Sequence, residues 1–347
     1  MTQTETSNQT RKLTLITDAW QPQVNGVVTT LNNLVRQARL QGIEVDVIHP
    51  HDFATFAMPF YPEIRIAWYT KNLEQRIIEF RPDAVHIATE GPLGWRARRI
   101  AQKYNCPFTT SYHTKFPEYI HQRLPWLPES WLYKIMRHFH RPAVRTLVPT
   151  ASVQEDLLAR GFTDIKLMSR GVDTDIFNPS RAKAMKFTQP MHLYVGRVAI
   201  EKNLEAFLDL DLPGSKIVVG SGPSLEQLKQ QYPDVNFVGS KFDEELASYY
   251  ASAAVLVFPS KTDTFGVVNI EAIACGTPVA AYPVTGPKDI ITQGVNGVLN
   301  NNLAIAIEQA KQLERTQIAD SIPQYTWQGA AKQFIENLAF IKFEGNH

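Results

Sequence analysis

The chain of 347 residues has few cysteines, no strong excess of charge and no long apolar run. Its two cysteines, Cys106 and Cys275, are too few for a disulfide framework or a cysteine-rich metal site. The net charge of +1 lacks the basic excess typical of nucleic-acid-binding proteins, so we expect no nucleic-acid partner. No segment approaches the roughly 20 apolar residues that span a bilayer, and the stretch from Met1 to Lys12 has no apolar signal region. These absences predict a cytoplasmic location.

Two common ligand motifs are incomplete. The segment 220–222, Gly-Ser-Gly, begins like the dinucleotide fingerprint, but Leu225 stands where a third glycine or alanine is expected. Asp173 and Asp175 form a D-x-D pattern that metal-dependent sugar transferases use, yet they lie near a predicted domain junction and do not follow a strand. The histidines and aspartates show no metal-ligand spacing. We therefore predict no metal ion and no cofactor.

The chain does contain a regular alternation of strand-like and helix-like segments. Short strand-like runs, such as Ala84–Ile87, Phe108–Ser111 and Arg145–Val148, alternate with helical patterns. The periodicity lapses near 178–183, and the alternation resumes at 192–195 and includes Val255–Phe258. Such alternation is typical of parallel, doubly wound sheets. The chain is also too long for one ordinary core. We predict an α/β protein with two Rossmann-like domains, 1–180 and 181–325, that face each other across a cleft.

The most informative segment runs from Asp263 to Glu271. It follows an apolar run that reads as a buried strand, and it leads into a helical pattern from Asn269 to Ala274. Helical side chains lean towards the helix N-terminus, so Glu271 can face the preceding loop. Carboxylates accept hydrogen bonds from sugar or ribose hydroxyls, and free N–H groups at a helix start bind anions. This corner therefore predicts a site for a polyhydroxylated ligand.

Other predicted strand ends carry cations, a glycine and a histidine. Arg197 and Lys202 follow Gly196 directly after a strand, and two cations near a helix start suit a diphosphate. Gly26 precedes a helix of the first domain, and His113 lies just past a strand end. Ordinary surface cations, a normal helix start and a structural histidine would produce the same patterns, so these alternatives stay open.

Aromatic and basic residues alternate between 121 and 145, where Glu129 is the one acid. A basic, aromatic, amphipathic stretch suits the surface of an anionic membrane. A core helix with a solvated basic face explains the pattern equally well.

Taken together and in this order, the motifs resemble those of the retaining GT-B glycosyltransferases of family 4, over nearly the whole chain. Segments 86–94 and 262–266 are most similar to a branch that holds GDP-mannose-dependent α-mannosyltransferases and sulfoquinovosyl-diacylglycerol synthases. Asp263 stands where most of the family has glutamate, although aspartate is not unusual in this branch. The resemblance rests on Asn25-Gly26-Val27, 111–114, Arg170-Gly171-Val172-Asp173, 196–203, 220–223, 263–271 and the segment from Tyr325 to Phe334.

The resemblance implies a GT-B fold whose terminal helix, 326–347, packs back on the first domain. It also implies transfer of a hexose, mannose-type favoured, from a GDP- or UDP-linked sugar to a hydroxyl of a lipid or glycan, with the leaving phosphate accepting the proton. The implied catalytic residues are Arg197, Lys202, Asp263 and His113. The implied donor-binding residues are Gly26, Gly196, Gly222, Phe265, Gly266, Val267 and Glu271, and the implied acceptor contacts are Trp20, Glu90 and Lys115.

Three functional alternatives remain open on the same scaffold: a nucleotide-sugar epimerase, a nucleotide-sugar hydrolase, and a non-catalytic protein that binds glycan or lipid. If 121–145 contacts lipid, we expect the protein on the inner face of the cytoplasmic membrane.

Overall fold

The computed structural model describes residues 11–23, 25–58 and 61–341. The first half contains β1 (Lys12–Ile16), α1 (Gly26–Leu40), β2 (Glu44–Ile48), β3 (Ala54–Met58), β4 (Tyr61–Tyr69), α2 (Leu73–Phe80), β5 (Ala84–Ile87), α3 (Pro92–Lys103), β6 (Phe108–Ser111), α4 (Phe116–Arg123), α5 (Glu129–His140), β7 (Arg145–Val148), α6 (Ala151–Ala159) and β8 (Ile165–Leu167). The second half contains β9 (Met191–Val195), α7 (Glu205–Leu208), β10 (Ser215–Val219), α8 (Leu225–Gln231), β11 (Asn236–Gly239), α9 (Asp243–Ser252), β12 (Val255–Phe258), α10 (Val267–Ala274), β13 (Val279–Ala281), α11 (Pro287–Ile290), β14 (Gly297–Leu299), α12 (Leu303–Ala310) and α13 (Trp327–Asn337).

The strands form two six-stranded parallel sheets and one antiparallel hairpin. The first sheet has the order β2-β1-β5-β6-β7-β8, and the second has the order β11-β10-β9-β12-β13-β14. We call the first sheet with α1–α6 and α13 the N-terminal lobe, and the second sheet with α7–α12 the C-terminal lobe. This arrangement confirms the predicted α/β class with two doubly wound sheets. The predicted boundary at residue 180 falls in a short 3-10 turn, Pro179–Arg181, between the two sheets.

Helices cover both faces of the central strands, because parallel strands are joined by helical crossovers that pack on the sheet. All five residues of β9 and all four of β12 are buried. Apolar residues on opposite faces of these strands enter separate core clusters: Leu193 and Leu256 pack with α10, whereas Val255 and Val257 pack with α12. The continuous apolar runs in the sequence follow from this double burial.

The α1 helix begins where its sequence predicts. The Asn25 side chain accepts hydrogen bonds from the backbone N–H groups of Val27 and Val28, both at 3.0 Å, which caps the helix start. The helix ends before Gly42, whose φ of +79° is in the left-handed region. The cap therefore sets where Gly26, the first helical residue, meets the cleft.

Four strands, β5, β6, β7 and β12, have the predicted bounds, but the hairpin of β3 and β4 and the short strands β8 and β14 were not expected. β8 and β14 have three residues each, too few for periodicity to show. The hairpin interrupts the strand–helix alternation after β2, with two residues, Pro59 and Phe60, outside the described part. These missed elements lie at sheet edges or outside the two main sheets.

The α13 helix lies in the N-terminal lobe, although it follows the whole C-terminal lobe in sequence. Trp327, Ala330 and Phe334 join the buried cluster formed by β1 and α1. The Arg145 guanidinium donates to the carbonyl of Asn337 at 3.2 Å. The predicted helix 326–347 is thus observed over 327–337, and residues 342–347 lie outside the described residues.

Candidate active site

In each sheet the order of the strands reverses at one point near the centre, and the loops at these two points surround one cleft. The first strand of each sheet, β1 or β9, has neighbours that lead to opposite edges, so a crevice opens between β1 and β5 and another between β9 and β12. Ligands of open α/β sheets bind outside the carboxyl ends of the strands at such switch points. The loops after β9 and β12 carry Arg197, Lys202 and Asp263. The sheet topology therefore brings these three residues to one crevice.

Lys202 and Asp263 meet directly across this crevice. The Lys202 ammonium donates to Asp263 Oδ1 at 2.5 Å, and both side chains are largely buried. Two further bonds join the loops: Asn203 Nδ2 donates to the carbonyl of Pro259 at 3.0 Å, and the Thr262 hydroxyl donates to the carbonyl of Glu201 at 3.3 Å. The second carboxylate oxygen of Asp263, Oδ2, is buried and has no hydrogen-bond partner in the described part of the chain.

The surroundings of Lys202 keep its ammonium charged. Burial disfavours the charge, but Asp263 together with nearby Tyr119 and Tyr194 outweighs it, so the pKa of Lys202 is raised above its usual range. Tyr119 belongs to α4 of the N-terminal lobe, and burial raises its own pKa to about 12. A fixed positive charge therefore stands where the two lobes meet.

Glu271 lies on α10 with part of its surface open, and the hydroxyl of Tyr250 donates to its Oε2 at 2.8 Å. Burial raises the pKa of Glu271 to about 7, although the bond from Tyr250 acts in the opposite direction. This carboxyl group changes its charge near neutral pH. It can accept bonds from ribose hydroxyls when ionised.

The start of α10 is shaped by Gly266, which has a φ of +83°. A Cβ there would lie 2.7 Å from Asn269 Nδ2 and 2.9 Å from Phe258 Cζ, so a larger residue would not fit. Phe265 is buried in the core, with its ring 5.7 Å from that of Tyr325. Val267 begins the helix, two residues before the predicted helical pattern at Asn269. The first backbone N–H groups of α10 thus lie beside the crevice, where an anion can accept from them.

Gly26 of the N-terminal lobe faces this helix start. A Cβ at Gly26 would lie 3.9 Å from Val267 Cγ2, an ordinary van der Waals contact across the cleft. The two predicted phosphate-binding positions, one from each lobe, are therefore brought together.

Gly196 and Gly222 occupy loops that pack closely on each other at the ends of β9 and β10. A Cβ at Gly222 would lie 2.3 Å from the carbonyl oxygen of Val198, and the Val198 N–H donates to the carbonyl of Ser221 at 2.9 Å. The Tyr194 hydroxyl donates to the carbonyl of Arg197 at 2.8 Å. Close loop packing by itself accounts for glycine at position 222.

His113 enters the cleft from the end of β6 and is almost fully buried. Arg170 Nη2 donates to Nδ1 of the His113 ring at 2.9 Å, whereas Nε2 of the ring is buried without a hydrogen-bond partner among the described residues. Burial, then the charge of Arg170, holds the pKa of His113 well below its usual range. His113 also contacts the other lobe, where the Thr264 hydroxyl donates to the His113 carbonyl at 2.6 Å. The ring is therefore neutral and next in space to the loop of Asp263.

Three further contacts close the cleft between the lobes. Ser152 N at the start of α6 donates to Asp289 Oδ1 at 2.9 Å, and the Ser152 hydroxyl bonds to Oδ2. Arg123 at the end of α4 pairs with Glu201 at 2.6 Å, directly before Lys202. The predicted segment 121–145 thus contributes Arg123 to the lobe interface.

The predicted acceptor residues lie on the N-terminal side of the cleft. Trp20 stacks on His49, with ring centroids 5.9 Å apart. Glu90 is turned inward and pairs with buried His140 at 3.1 Å. Lys115 lies 3.8 Å from Glu118 and reaches Thr285 of the other lobe at 3.4 Å. Of the three, Lys115 approaches the C-terminal lobe, whereas the described polar contact of the Glu90 carboxylate is within its own lobe.

Asp18 was not among the predicted site residues, yet it organises the crevice between β1 and β5. Its carboxylate accepts from the backbone N–H groups of Leu93 at 2.9 Å and Gly94 at 3.2 Å, and from the Thr89 hydroxyl at 3.0 Å. Burial raises the pKa of Asp18 to about 6, although these bonds oppose it. The signal in the sequence was an acid directly after the first strand.

The described part of the chain holds no group of three or more His, Cys, Asp or Glu side chains that could bind a metal ion. Asp173 of the D-x-D pattern accepts from the backbone N–H of Asp175 at 3.2 Å and lies 3.8 Å from Arg36. No described helix has the length and apolarity needed to cross a membrane.

Two family models match the chain, one for each lobe. The model described as Glycosyltransferase Family 4 matches residues 24–176, and the model described as Glycosyl transferases group 1 matches residues 189–315. The matches flank the short 3-10 turn between the two sheets.

Curated relatives carry transferase names. The chain is 32% identical over 308 residues to a sulfoquinovosyl transferase of Arabidopsis thaliana. The aligned region covers 79% of this chain and 60% of the plant protein's length. It is 29% identical over 316 residues to a GDP-mannose-dependent alpha-mannosyltransferase of Mycobacterium tuberculosis, covering 83% of each chain. It is 26% identical over 345 residues to an alpha-monoglucosyldiacylglycerol synthase of Streptococcus pneumoniae, covering 86% of this chain and 78% of that protein.

Among solved structures, the sucrose-phosphate synthase of Thermosynechococcus elongatus superimposes with a TM-score of 0.77 at 23% identity, covering 94% of this chain and 98% of that one. At this identity the similarity shows the fold, two facing Rossmann-like lobes. The family matches confirm the resemblance drawn from the motifs. The chain belongs to the glycosyltransferases of the GT-B fold, with a family 4 N-terminal domain followed by a group 1 C-terminal domain.

Proposed function

We propose that this protein is a retaining hexosyltransferase that moves a hexose, mannose-type favoured, from a GDP- or UDP-linked donor to a hydroxyl of a lipid or glycan. The observation that carries the proposal is that one crevice holds both a charged cation and carboxylate oxygens. Lys202 is held charged by its contact with Asp263, while Glu271 and Asp263 Oδ2 offer carboxylate oxygens. A nucleoside diphosphate sugar has the complementary groups in one molecule.

In this proposal the donor lies along the C-terminal side of the cleft. Arg197 and Lys202 neutralise the diphosphate, and the first N–H groups of α10, with Gly26 opposite, bind its oxygens. Glu271 holds the ribose hydroxyls. Asp263 and His113 contact the sugar, because a hydroxyl both donates to a carboxylate oxygen and accepts from an imidazole N–H.

The transfer breaks the bond between the anomeric carbon and the diphosphate oxygen and forms a bond to the acceptor oxygen on the same face. The acceptor's proton passes to the leaving diphosphate. Negative charge grows on that diphosphate in the transition state, so Lys202 and Arg197 bind the transition state more tightly than the ground state. No side-chain base is assigned to this step.

A lipid acceptor is supported by the exposed surface of segment 121–145, which includes the loop after α4 and one side of α5. Trp126 is 74% exposed and Trp131 is 51% exposed, and Lys134 and Arg137 are exposed on the same segment. The opposite side of α5 packs Leu132, Tyr133 and Phe139 in the core, as the alternative interpretation expected. Exposed tryptophan beside basic residues suits a membrane interface, and membrane contact stays part of the proposal.

The proposal is tested with a panel of GDP-, UDP- and ADP-linked hexoses. We expect one nucleotide class to raise the thermal unfolding midpoint and to be hydrolysed slowly without acceptor. Added acceptor lipid should give a glycosylated product whose anomeric configuration, measured by NMR, equals that of the donor. Donor turnover that yields an isomerised nucleotide sugar, or free sugar alone in the presence of every acceptor, would favour the epimerase or hydrolase. Donor binding without turnover would favour a non-catalytic protein.

A further inference from the structure

Arg170 is a buried arginine whose guanidinium is fixed on both of its arms. Its Nη1 donates to the carbonyls of Met168 at 2.6 Å and Ser169 at 3.0 Å. Its Nη2 donates to His113 Nδ1 at 2.9 Å. The side chain is 3% exposed, and the partner ring belongs to a loop 57 residues earlier in the chain. Nothing in the proposed donor site requires this arginine to touch the ligand.

The contact decides which nitrogen of His113 carries the proton. A guanidinium has only N–H donors and no acceptor. Nδ1 must therefore accept, and the proton of the neutral ring is on Nε2. That Nε2 is buried and has no hydrogen-bond partner among the residues that the structure describes. The neighbouring positive charge and the burial both oppose a second proton on the ring.

We propose that Arg170 is a positioning residue that holds His113 as a neutral Nε2–H donor to an oxygen of the bound sugar. The identity of that ligand rests on the proposed function. A tautomer with its proton on Nδ1 would instead present a lone pair at Nε2, which could accept a proton or attack an electrophilic sugar carbon. The fixed N–H removes both reactions. His113 therefore orients the sugar and takes no part as a base.

The direct test is ¹⁵N NMR of histidine-labelled protein without any nucleotide sugar, with a His113→Gln variant for assignment. We expect the wild-type ring to carry its proton on Nε2 and to stay neutral between about pH 5.5 and 8. In Arg170→Met we expect a mixture of tautomers or a ring that titrates in this range. A wild-type ring protonated on Nδ1, or one that titrates between these pH values, would overturn the proposal even if the variant fails to fold.

Kinetics provide the second readout. We expect Arg170→Met to lower kcat on the order of 10- to 100-fold, with a new loss of activity below about pH 6.5 as His113 becomes protonated beside the developing positive charge of the sugar. Arg39→Met is the matched control, because Arg39 also donates to a backbone carbonyl of the N-terminal lobe, that of Val45 at 3.0 Å. Unchanged kcat and unchanged tautomer in Arg170→Met would refute the positioning role. Because the NMR readout needs no turnover, failure of the proposed function would leave it standing.

Discussion

The two crevices of the cleft use their ionisable groups differently. Between β1 and β5, Asp18 accepts three hydrogen bonds from its own lobe, and Glu90 is paired with His140. Between β9 and β12, Asp263 Oδ2 has no hydrogen-bond partner among the residues that the structure describes, and Glu271 is partly exposed to solvent. The first crevice therefore uses its acids to hold loops in place, whereas the second leaves acceptor atoms for a ligand. Acids at equivalent strand ends thus need not share a role.

The largest expected effect is on the C-terminal side. We expect Lys202→Ala to lower kcat about 10²- to 10³-fold, because a preorganised cation that stabilises a leaving diphosphate is lost. Steady-state kinetics with saturating donor measure this. The control is Lys241→Ala, since Lys241 pairs with Glu245 at 2.7 Å on the surface of the same lobe. Near wild-type kcat in Lys202→Ala would remove the diphosphate assignment.

The Lys202→Ala substitution also leaves the Asp263 carboxylate buried without its cation. Adding Asp263→Asn separates the two consequences. If the cation acts on the donor, the double variant is slower than the single variant Asp263→Asn; if Lys202 only neutralises Asp263, the double variant has the same kcat as Asp263→Asn.

A smaller effect is expected at Glu271. Because its pKa is about 7, the carboxylate is charged above that pH and protonated below it. We expect kcat/KM for the donor to fall as the pH decreases through about 7, since a protonated carboxyl accepts ribose bonds poorly. Glu271→Gln should raise the donor KM about 10-fold and abolish this fall of kcat/KM at low pH.

Two controls accompany the Glu271 measurement. Tyr250→Phe removes a hydrogen bond that lowers the pKa of Glu271, so kcat/KM should begin to fall at a higher pH. Glu308→Gln, on α12 with Lys311 as its 2.7 Å partner, should leave the profile unchanged. A donor kcat/KM that is flat between pH 6 and 8 in the wild type contradicts the ribose assignment.

On the N-terminal side we expect an effect on stability instead. Asp18→Asn should lower the free energy of unfolding by about 1–2 kcal/mol, because an amide cannot accept all three bonds, while donor affinity stays unchanged. The folded-state pKa of about 6 is above the ordinary aspartate pKa of 3.8, so the wild-type contribution is largest at low pH and is lost as the pH rises through 6. The difference from Asp18→Asn should therefore be larger at pH 5 than at pH 8.

Urea unfolding at the two pH values measures this difference. Glu44→Gln is the control, since its 3.5 Å pair with Lys12 is exposed and should contribute little. A loss of donor affinity in Asp18→Asn would show that the two crevices are not functionally distinct.

The smallest expected effect is that of metal removal. We expect EDTA to leave kcat unchanged, because Lys202 and Arg197 supply the positive charge that a metal ion would otherwise provide. Loss of activity in EDTA with recovery in added Mg²⁺ would contradict this and direct attention to Asp173 and Asp175.

The sequence predicted the fold well because its signal is local. β12 is a continuous apolar run, and burial on both of its faces produces that pattern, whereas the predicted strands β5, β6 and β7 also carry polar residues. The start of α10 was placed two residues late because valines at 267 and 268 continue an apolar pattern that does not mark a helix start, whereas Gly266 does so through its backbone.

The site was harder to predict because several of its side chains are held by residues that are distant in the sequence. The ring of His113 is set by Arg170, and Asp18 is held by backbone groups 75 and 76 residues away. Arg170 belongs to a motif of the family, but its residue type alone predicts no role for it. Residue types can suggest that a group touches a ligand, but which nitrogen carries a proton follows only from three-dimensional contacts.

The location of α13 has a consequence for the order in which the protein can be assembled. The chain passes between the lobes twice at one place, where the Val172 N–H donates to the Tyr325 carbonyl at 3.0 Å. Trp327 and Phe334 are core residues of the N-terminal lobe but are synthesised after the entire C-terminal lobe. During translation the N-terminal lobe therefore exposes an apolar groove on β1 and α1 until α13 emerges. The lobe that begins to fold first is the last to be completed.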